Sequence, residues 1–252
     1  MRVLVGPTDV TAFDNPSGSP IFPELPSTAF ERVFDFGCGC GRFARQLIQQ
    51  ANQPQRYVGI DLHRGMIRWC KANLTPSAPQ FEFYHHDVFE LAFNPDGATR
   101  AAPFPVPSAD FTLVIAVSVF THILPDEIPS YLSEVRRVLR TNGTAVTTWF
   151  LFDKNQFPMM QEEQNALYIN PVNPTNAVIY DRAWCFERLE EADLVVAAVT
   201  PPEVRGHQWW LRLAPRGSAE AVSLPEDRAP IGLRRASHHG ENAQLIGLEG
   251  TR

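Results

Sequence analysis

The chain has 252 residues, 44% of them hydrophobic, and a formal net charge of −6. This length and apolar content predict one α/β domain with extensions, and the acidic balance argues against a protein held on nucleic acid by bulk electrostatics. No stretch approaches the ~20 consecutive apolar residues of a membrane span. No basic region followed by an apolar run opens the chain, so we expect no signal peptide and a cytoplasmic location.

The first 28 residues are rich in proline, glycine, serine and aspartate. Prolines disfavour a regular helix, so residues 1–28 are predicted to form an N-terminal arm. Such an arm is either loose or folded over a pocket as a lid. Four apolar residues favour the lid: Phe13, Ile21, Phe22 and Leu25.

A glycine-rich loop follows a first strand predicted at 32–36 and precedes a helix predicted over 42–51. Its glycines allow positive φ and leave no Cβ between the backbone and a ligand. The helix behind the loop presents unpaired N–H groups to an anionic group. The loop therefore predicts a small-molecule site, in which Cys38 and Cys40 are interpreted as small residues beside the ligand.

Strands and helices alternate through the middle of the chain. This alternation predicts βαβ crossovers and a parallel sheet. Asn142-Gly143 is predicted to end the helix that precedes the fifth strand. The further strands are predicted at 56–61, 81–86, 111–117 and 144–152, and the further helices at 64–73 and 126–140.

The last third of the chain departs from the alternation. Residues 153–182 are too long for a simple turn, and insertions at the carboxyl ends of parallel strands surround the ligand crevice, so this segment is interpreted as the acceptor-binding wall. A helix at 182–192 leads into two strands that could pair as an antiparallel hairpin. Residues 214–252 are polar and aperiodic, which predicts a flexible tail.

These elements predict one domain over 29–213, preceded by the arm and followed by the tail. Its fold class is α/β, with a Rossmann-like, mostly parallel seven-stranded sheet, helices on both faces and a C-terminal antiparallel hairpin. Three acids, Asp35, Asp61 and Asp87, end the first three strands. In an open parallel sheet, these three carboxylates would lie along one edge of the same crevice.

The pattern Asp-x-Gly-x-Gly-x-Gly, together with the acid at the third strand end, resembles the class I S-adenosylmethionine-dependent methyltransferases over about 30–213. A nicotinamide-binding fold would have Gly-x-Gly-x-x-Gly, with its third glycine one residue later. The stretches from Ser118 to Leu124 and from Arg205 to Trp210 are similar to methyltransferases associated with bacterial glycosyltransferases and polysaccharide pathways.

The resemblance implies S-adenosyl-L-methionine as cofactor, S-adenosyl-L-homocysteine as product, and a role for each matching residue. Asp61 would bind the ribose hydroxyls, and Asp87 with the N–H of Val88 would bind the adenine edge, against which Met66 would pack. Asp35 would accept a hydrogen bond from the cofactor's ammonium, and Arg42 would hold its carboxylate. The other implied cofactor-binding residues are Gly37, Gly39, Gly41 and Ser118.

The residues after the fourth strand narrow the choice of acceptor. Methyltransferases for base amines carry Asn/Asp-Pro-Pro-Tyr there, whereas this chain has Val117-Ser-Val-Phe120. His122 lies just beyond, and an imidazole titrates near neutrality, so His122 is the candidate general base for a hydroxyl acceptor. The candidate substrate residues at the end of the fifth strand and in the insertion are Trp149, Asp153 and Tyr168.

The resulting hypothesis is an O-methyltransferase acting on a hydroxyl of a sugar or oligosaccharide. The alternatives are a methyltransferase for a natural-product phenol or a lipid head group, a nicotinamide-dependent oxidoreductase, and a catalytically silent cofactor-binding protein. No nucleic-acid partner and no metal site are predicted, although a divalent metal at His122 and Asp153 and a homodimer through aromatics near 149–168 stay open.

Overall fold

The structure is a computed structural model and describes residues 9–226. The first eight residues of the arm and the part of the predicted tail beyond residue 226 lie outside the described residues. Four α-helices and nine strands occur between residues 9 and 226. The helices are α1 (Arg42–Gln49), α2 (Arg64–Asn73), α3 (Ile128–Val138) and α4 (Arg182–Glu191).

The strands join into a single mixed sheet, whose central part has the order β3-β2-β1-β4-β5, all parallel. The antiparallel strands β9 and β8 continue the sheet beyond β5. The strands are β1 (Arg32–Phe36), β2 (Arg56–Asp61), β3 (Phe81–His85), β4 (Phe111–Ala116), β5 (Leu139–Phe152), β6 (Ala166–Tyr168), β7 (Val178–Asp181), β8 (Leu194–Thr200) and β9 (Trp209–Pro215).

Two hydrophobic cores lie on the two faces of the sheet. All six residues of β4 are buried, as expected of a strand covered on both faces, and its successive side chains alternate between the cores. Leu113 packs with α1 and α2, whereas Val114 packs with α3 and α4. The predicted Rossmann-like architecture with helices on both faces and a C-terminal hairpin is confirmed.

The junction between α3 and β5 differs from the prediction. The helix ends at Val138 and β5 begins at the next residue, so Asn142-Gly143 lies inside the strand rather than after the helix. The strand pairing shifts register here, between Phe111 and Leu113 of β4. A Cβ on Gly143 would lie 2.9 Å from the carbonyl oxygen of Phe111, so this glycine permits a close backbone approach instead of capping a helix.

The predicted insertion carries two strands that the sequence did not indicate. β7 pairs in parallel with Phe150–Phe152 at the end of β5, and β6 pairs with β7 in antiparallel fashion. The sheet therefore has nine strands among the described residues instead of the seven predicted. This hairpin fixes the insertion at the carboxyl end of β5, beside the crevice.

The described part of the arm, from residue 9, packs along α1. The Asp14 carboxylate lies 2.7 Å from the Arg45 guanidinium, and Gln46 donates to the carbonyl of Ala12. Phe22 and Leu25 are buried in the same core as α1. Within residues 9–226, no helix has the length and apolarity needed to cross a bilayer.

Candidate active site

A large cavity opens at the carboxyl ends of the parallel strands, where an α/β sheet binds its ligands. Its volume is about 1340 Å³, above the roughly 300–1,000 Å³ of a typical small-molecule pocket. The arm, the glycine loop, the segments after β3 and β4, residues 173–176 and the β8–β9 turn all contribute to its walls. The space therefore suits two ligands side by side.

The glycine loop has the backbone that only glycine adopts without strain. Gly37, Gly39 and Gly41 have φ of 79°, 55° and 79°. A Cβ on Gly37 would lie 2.4 Å from Cγ2 of Val119, and one on Gly41 would lie 2.5 Å from Cδ1 of Leu74. Positive φ thus favours glycine at all three positions, and close packing also requires it at Gly37 and Gly41.

Asp61 ends β2 and points its carboxylate at the loop. Its Oδ2 accepts from the Gly39 N–H at 2.9 Å, and its Oδ1 accepts from the His63 N–H at 2.7 Å. Burial raises the pKa of Asp61, while these two bonds oppose that rise. Each oxygen keeps a lone pair for one further donor, so the carboxylate is held ready for a ligand with two hydroxyl groups.

Arg42 begins α1 and lines the cavity. Its guanidinium carbon lies 4.6 Å from the centroid of the Phe43 ring, and burial lowers its pKa. Among residues 9–226, no carboxylate forms an ion pair with it. The guanidinium is therefore available to an anionic group of a ligand.

Asp35 lies beneath the loop and does not line the cavity. Its buried carboxylate accepts a hydrogen bond of 2.6 Å from the Tyr57 hydroxyl. Burial raises the pKa of Asp35 to about 7, and the bond from Tyr57 opposes that rise. Contact with a cofactor's ammonium stays a prediction for this residue.

We expect Asp35 to make the protein's stability fall as the pH rises. The folded carboxyl has a pKa of about 7, against 3.8 for an ordinary aspartate, so the folded state binds the extra proton between these values. The free energy of unfolding then decreases from about pH 4 to about pH 7, by at most about 4 kcal/mol. Urea unfolding at pH 5 and pH 8 should show a smaller difference in Asp35→Asn; equal differences would contradict the assignment.

His122 lies in a short helical turn after β4 and lines the cavity. Its Nδ1 is 2.8 Å from the carbonyl oxygen of Thr175. A carbonyl only accepts, so Nδ1 carries the proton, and Nε2 of the neutral ring has the lone pair of an acceptor. Burial lowers the pKa of His122, which keeps the ring neutral near pH 7.

Ser118 and Met66 also line the cavity, and their contact with a cofactor stays a prediction. Ser118 has a φ of 57°, which is unusual for a residue other than glycine. Its N–H donates to Oγ1 of Thr148 at 2.7 Å, and its hydroxyl accepts from Nε2 of Gln208 at 2.9 Å. These bonds hold the strained residue in place and connect it to the β8–β9 turn.

Asp87, like Asp35, does not line the cavity, so only Asp61 of the three strand-end acids does. The exposed carboxylate of Asp87 accepts from Asn94 at 3.0 Å, and this bond lowers its pKa. Val88 does line the cavity, but its N–H donates to the carbonyl of His86 at 2.9 Å. The joint contact of Asp87 and Val88 with an adenine stays a prediction.

The three candidate substrate residues lie away from the cavity. Trp149 is fully buried, stacks on Phe120 at 4.3 Å and donates its indole N–H to Thr147, so its assignment as a substrate contact is wrong. Asp153 caps a short helical turn by accepting from the Asn155 N–H. Tyr168 lines a separate, smaller pocket beside Trp184.

Several cavity residues were missed by the sequence analysis. His86 is buried with its Nε2 unpaired, and Glu127 has its pKa raised by burial. Polar residues adjoining strand ends are the signal that could have indicated them. Among residues 9–226, no group of three or more His, Cys, Asp or Glu side chains could hold a metal ion. The missed residues are His86, Glu90, Arg100, Glu127, Tyr131 and Gln208.

Residues 33–143, which hold the glycine loop, Asp61 and His122, match a protein family described as a methyltransferase domain. This region is a methyltransferase domain. The prediction of an S-adenosylmethionine-dependent methyltransferase is confirmed at the level of this domain. The methyltransferase domain begins in β1 and ends in β5, so it supplies the parallel core of the sheet.

Solved structures similar to the chain support the fold around the methyltransferase domain. The 1,6-didemethyltoxoflavin-N1-methyltransferase of Burkholderia thailandensis, solved with S-adenosylhomocysteine, is 16% identical, with a TM-score of 0.52 over 75% of this chain and 76% of that one. The O-methyltransferase of neocarzinostatin biosynthesis, solved with S-adenosyl-L-homocysteine and 1,4-dihydroxy-2-naphthoic acid, is 12% identical, with a TM-score of 0.51 over 76% and 51%. Both neighbours bind S-adenosylhomocysteine, which is the product of the predicted cofactor, S-adenosylmethionine.

Curated relatives of the methyltransferase domain are tRNA N(3)-cytidine methyltransferases. The chicken protein is 24% identical over 118 residues, which are 46% of this chain and 30% of that protein. The mouse protein is 24% identical over 140 residues, or 55% and 33%. The chain spans about a third of the length of these relatives, so the match concerns the domain and not their full architecture.

Proposed function

We propose that this protein is an S-adenosylmethionine-dependent O-methyltransferase whose acceptor is a hydroxyl of a sugar or oligosaccharide, as in the formation of a polysaccharide precursor. The observation that carries the proposal is the neutral His122, whose Nδ1–H is bound by Thr175 and whose ring lines the cavity. The resemblance to methyltransferases associated with glycosyltransferases supports the sugar.

The cofactor half of the cavity has the groups that this cofactor needs. Asp61 offers one free lone pair on each oxygen to the two ribose hydroxyls, and Arg42 offers an unpaired guanidinium to the amino-acid carboxylate. Met66 supplies an apolar surface for the adenine ring. When bound, S-adenosylmethionine supplies an activated methyl group, and the glycine loop lets the ligand approach bare backbone.

The acceptor half is suited to a hydroxyl group. An aliphatic hydroxyl must lose its proton as its oxygen bonds to the methyl carbon, so a base helps. Nε2 of His122 can take that proton, and burial keeps it unprotonated near pH 7. A carbon or nitrogen nucleophile would need no such group.

The side chains that line the acceptor half of the cavity are also suited to a sugar. Carboxylates such as Glu127 accept hydrogen bonds from hydroxyl groups, and Glu127 lines the cavity with one oxygen bonded to the Leu124 N–H. Aromatic rings pack on the apolar faces of sugar rings, and Phe36, Tyr131 and Trp210 also line the cavity. This mixture supports a polyhydroxylated acceptor over a purely aromatic one.

A tRNA acceptor, as named for the curated relatives, is disfavoured by charge. Phosphate groups are bound by lysine and arginine clusters, whereas the chain has a net charge of −6 and Glu90 and Glu127 stand in the acceptor half. The identity to those relatives also covers only part of each protein. We therefore propose a small-molecule or oligosaccharide partner and a cytoplasmic site of action.

We further propose that the arm is a lid and that the insertion 153–182 is the acceptor-binding wall. Phe13, Ile21 and Phe22 of the arm line the cavity, which supports the first role. Residues 173–176 of the insertion line it as well, and Thr175 holds His122. We also propose a homodimer through the aromatic residues near 149–168.

The proposed function is tested by following labelled methyl groups. The purified protein is incubated with radiolabelled S-adenosylmethionine and fractionated cell extract, with the His122→Ala variant as the matched blank. We expect label in a glycan fraction with the wild type and not with the variant. Label in a phenolic or lipid fraction would show that the acceptor is not a sugar. Label in tRNA would support the activity of the curated relatives. Cofactor binding without any methyl transfer would favour a catalytically silent cofactor-binding protein.

A further inference from the structure

We propose that Glu90 and Thr175 are positioning residues that hold His122 in its reactive tautomer and orientation. Three segments distant in the sequence meet in one chain of hydrogen bonds. The Thr175 hydroxyl donates to Oε1 of Glu90 at 2.6 Å, and the Thr175 carbonyl accepts from Nδ1 of His122 at 2.8 Å. The inference rests on the proposed function, in which His122 is the base.

Glu90 is itself firmly held at the far end of this chain of bonds. Its Oε2 accepts from the backbone N–H groups of Ala92 and Phe93 at 2.9 and 2.8 Å. Its backbone forms two hydrogen bonds with Asn94, of 3.1 and 2.9 Å. One carboxylate oxygen is thus fixed by a tight turn, which aims the other at Thr175.

Thr175 transmits this position to the histidine. It lies in the short helical turn Pro174–Asn176, where its hydroxyl is also 3.0 Å from Oδ1 of Asn173. With its hydroxyl held by Glu90, the carbonyl of the same residue faces Nδ1 of His122. A base whose ring is fixed this way spends less of its time misaligned with its substrate.

The charge of Glu90 also acts on the protonation of His122. Burial lowers the pKa of His122, and the Glu90 carboxylate raises it, as does the bond to Thr175. The other charged groups near this end of the cavity are Glu127 and Arg100, which face it from the segments beside α3 and after β3. The helical turn that carries His122 packs against β5 and β7, which contact it through Trp149 and Tyr180. The carboxylate of Asp181, at the end of β7, accepts hydrogen bonds from the N–H groups of Lys154 and Trp184.

Two isosteric variants separate the effect of the Glu90 charge from that of the Thr175 hydrogen bond. Glu90→Gln removes the charge while keeping hydrogen-bonding atoms, and Thr175→Val removes the hydroxyl while keeping the carbonyl. Thr175→Ser restores the hydroxyl and serves as the conservative rescue. Exposed residues outside the cavity give matched controls, Glu24→Gln and Thr28→Val.

The first measurement follows the ring nitrogens of His122 by ¹⁵N NMR across pH in the full-length protein, with His122→Ala to assign the signals. It reads tautomer and titration without needing an acceptor. We expect the Nδ1–H tautomer in the wild type, a lower pKa in Glu90→Gln, and a growing Nε2–H population in Thr175→Val that Thr175→Ser reverses. Unchanged signals in both folded variants would overturn the proposal.

The second measurement is the rate of methyl transfer, once an acceptor is known. We expect kcat to fall about tenfold or more in Thr175→Val, which is part of the 10²–10⁴-fold contribution of a general base, with cofactor affinity unchanged. In Glu90→Gln, the acidic limb of the pH profile should move to lower pH. Shifted NMR signals without any transfer would sustain the positioning role and count against the proposed function alone.

Discussion

Replacing Asp61 by alanine is expected to abolish measurable binding of S-adenosylhomocysteine. The carboxylate is the acceptor that the proposal assigns to both ribose hydroxyls. Hydrogen bonds to a charged group contribute about 1.5–3 kcal/mol each, so the loss of two should weaken binding by about 100-fold or more. Isothermal titration calorimetry with the wild type and the variant measures this directly.

The controls for Asp61→Ala must separate the loss of ligand contacts from a disturbance of the glycine loop. Asp61 also accepts from the N–H groups of Gly39 and His63, so thermal unfolding of the free variant shows how much the loop itself depends on the carboxylate. Asp96→Ala removes an exposed aspartate and should bind as the wild type does. Wild-type affinity in a folded Asp61→Ala would place the cofactor elsewhere.

Replacing His122 by alanine is expected to remove most of the turnover and none of the cofactor affinity. A positioned general base contributes about 10²–10⁴-fold, and the side chain lies in the half of the cavity assigned to the acceptor. Because burial lowers the pKa of His122 below 6.5, wild-type activity should fall only below that pH. The variant should lose this acidic limb as well as its rate.

A second substitution distinguishes a base from a structural histidine. His122→Asn retains an N–H that can donate to the Thr175 carbonyl, but it offers no basic nitrogen. If His122 acts as the base, the asparagine and alanine variants should be equally slow in single-turnover transfer. Recovery of activity in His122→Asn would reduce the histidine to a structural role.

The parts of the fold that could be predicted are those with local signals. The alternation of apolar strands with helices is visible residue by residue, and the three loop glycines need positive φ, which few other residues tolerate. The strand-end position of Asp61 follows from the same pattern. These features therefore appear in the sequence before any tertiary contact is known.

Other parts depend on contacts that no local pattern encodes. β6 and β7 have three and four residues in a proline-containing segment, too short for a readable period. Glu90 and Thr175 meet across 85 residues of sequence. Trp149 was predicted to contact the substrate but is buried in the core. The sequence near a strand end does not indicate whether an aromatic side chain faces the core or the crevice.

The long strand β5 bears on how the protein must be made. One edge of β5 pairs with β4, which precedes it, but the other edge pairs with β9 at Ala145–Trp149 and with β7 at Phe150–Phe152. On a ribosome the Ala145–Trp149 part of that edge, which is buried in the folded protein, stays unpaired until β9 has emerged. Unpaired apolar edges invite aggregation, so a nascent chain stalled before β9 should need a chaperone, whereas one that has released β9 should not.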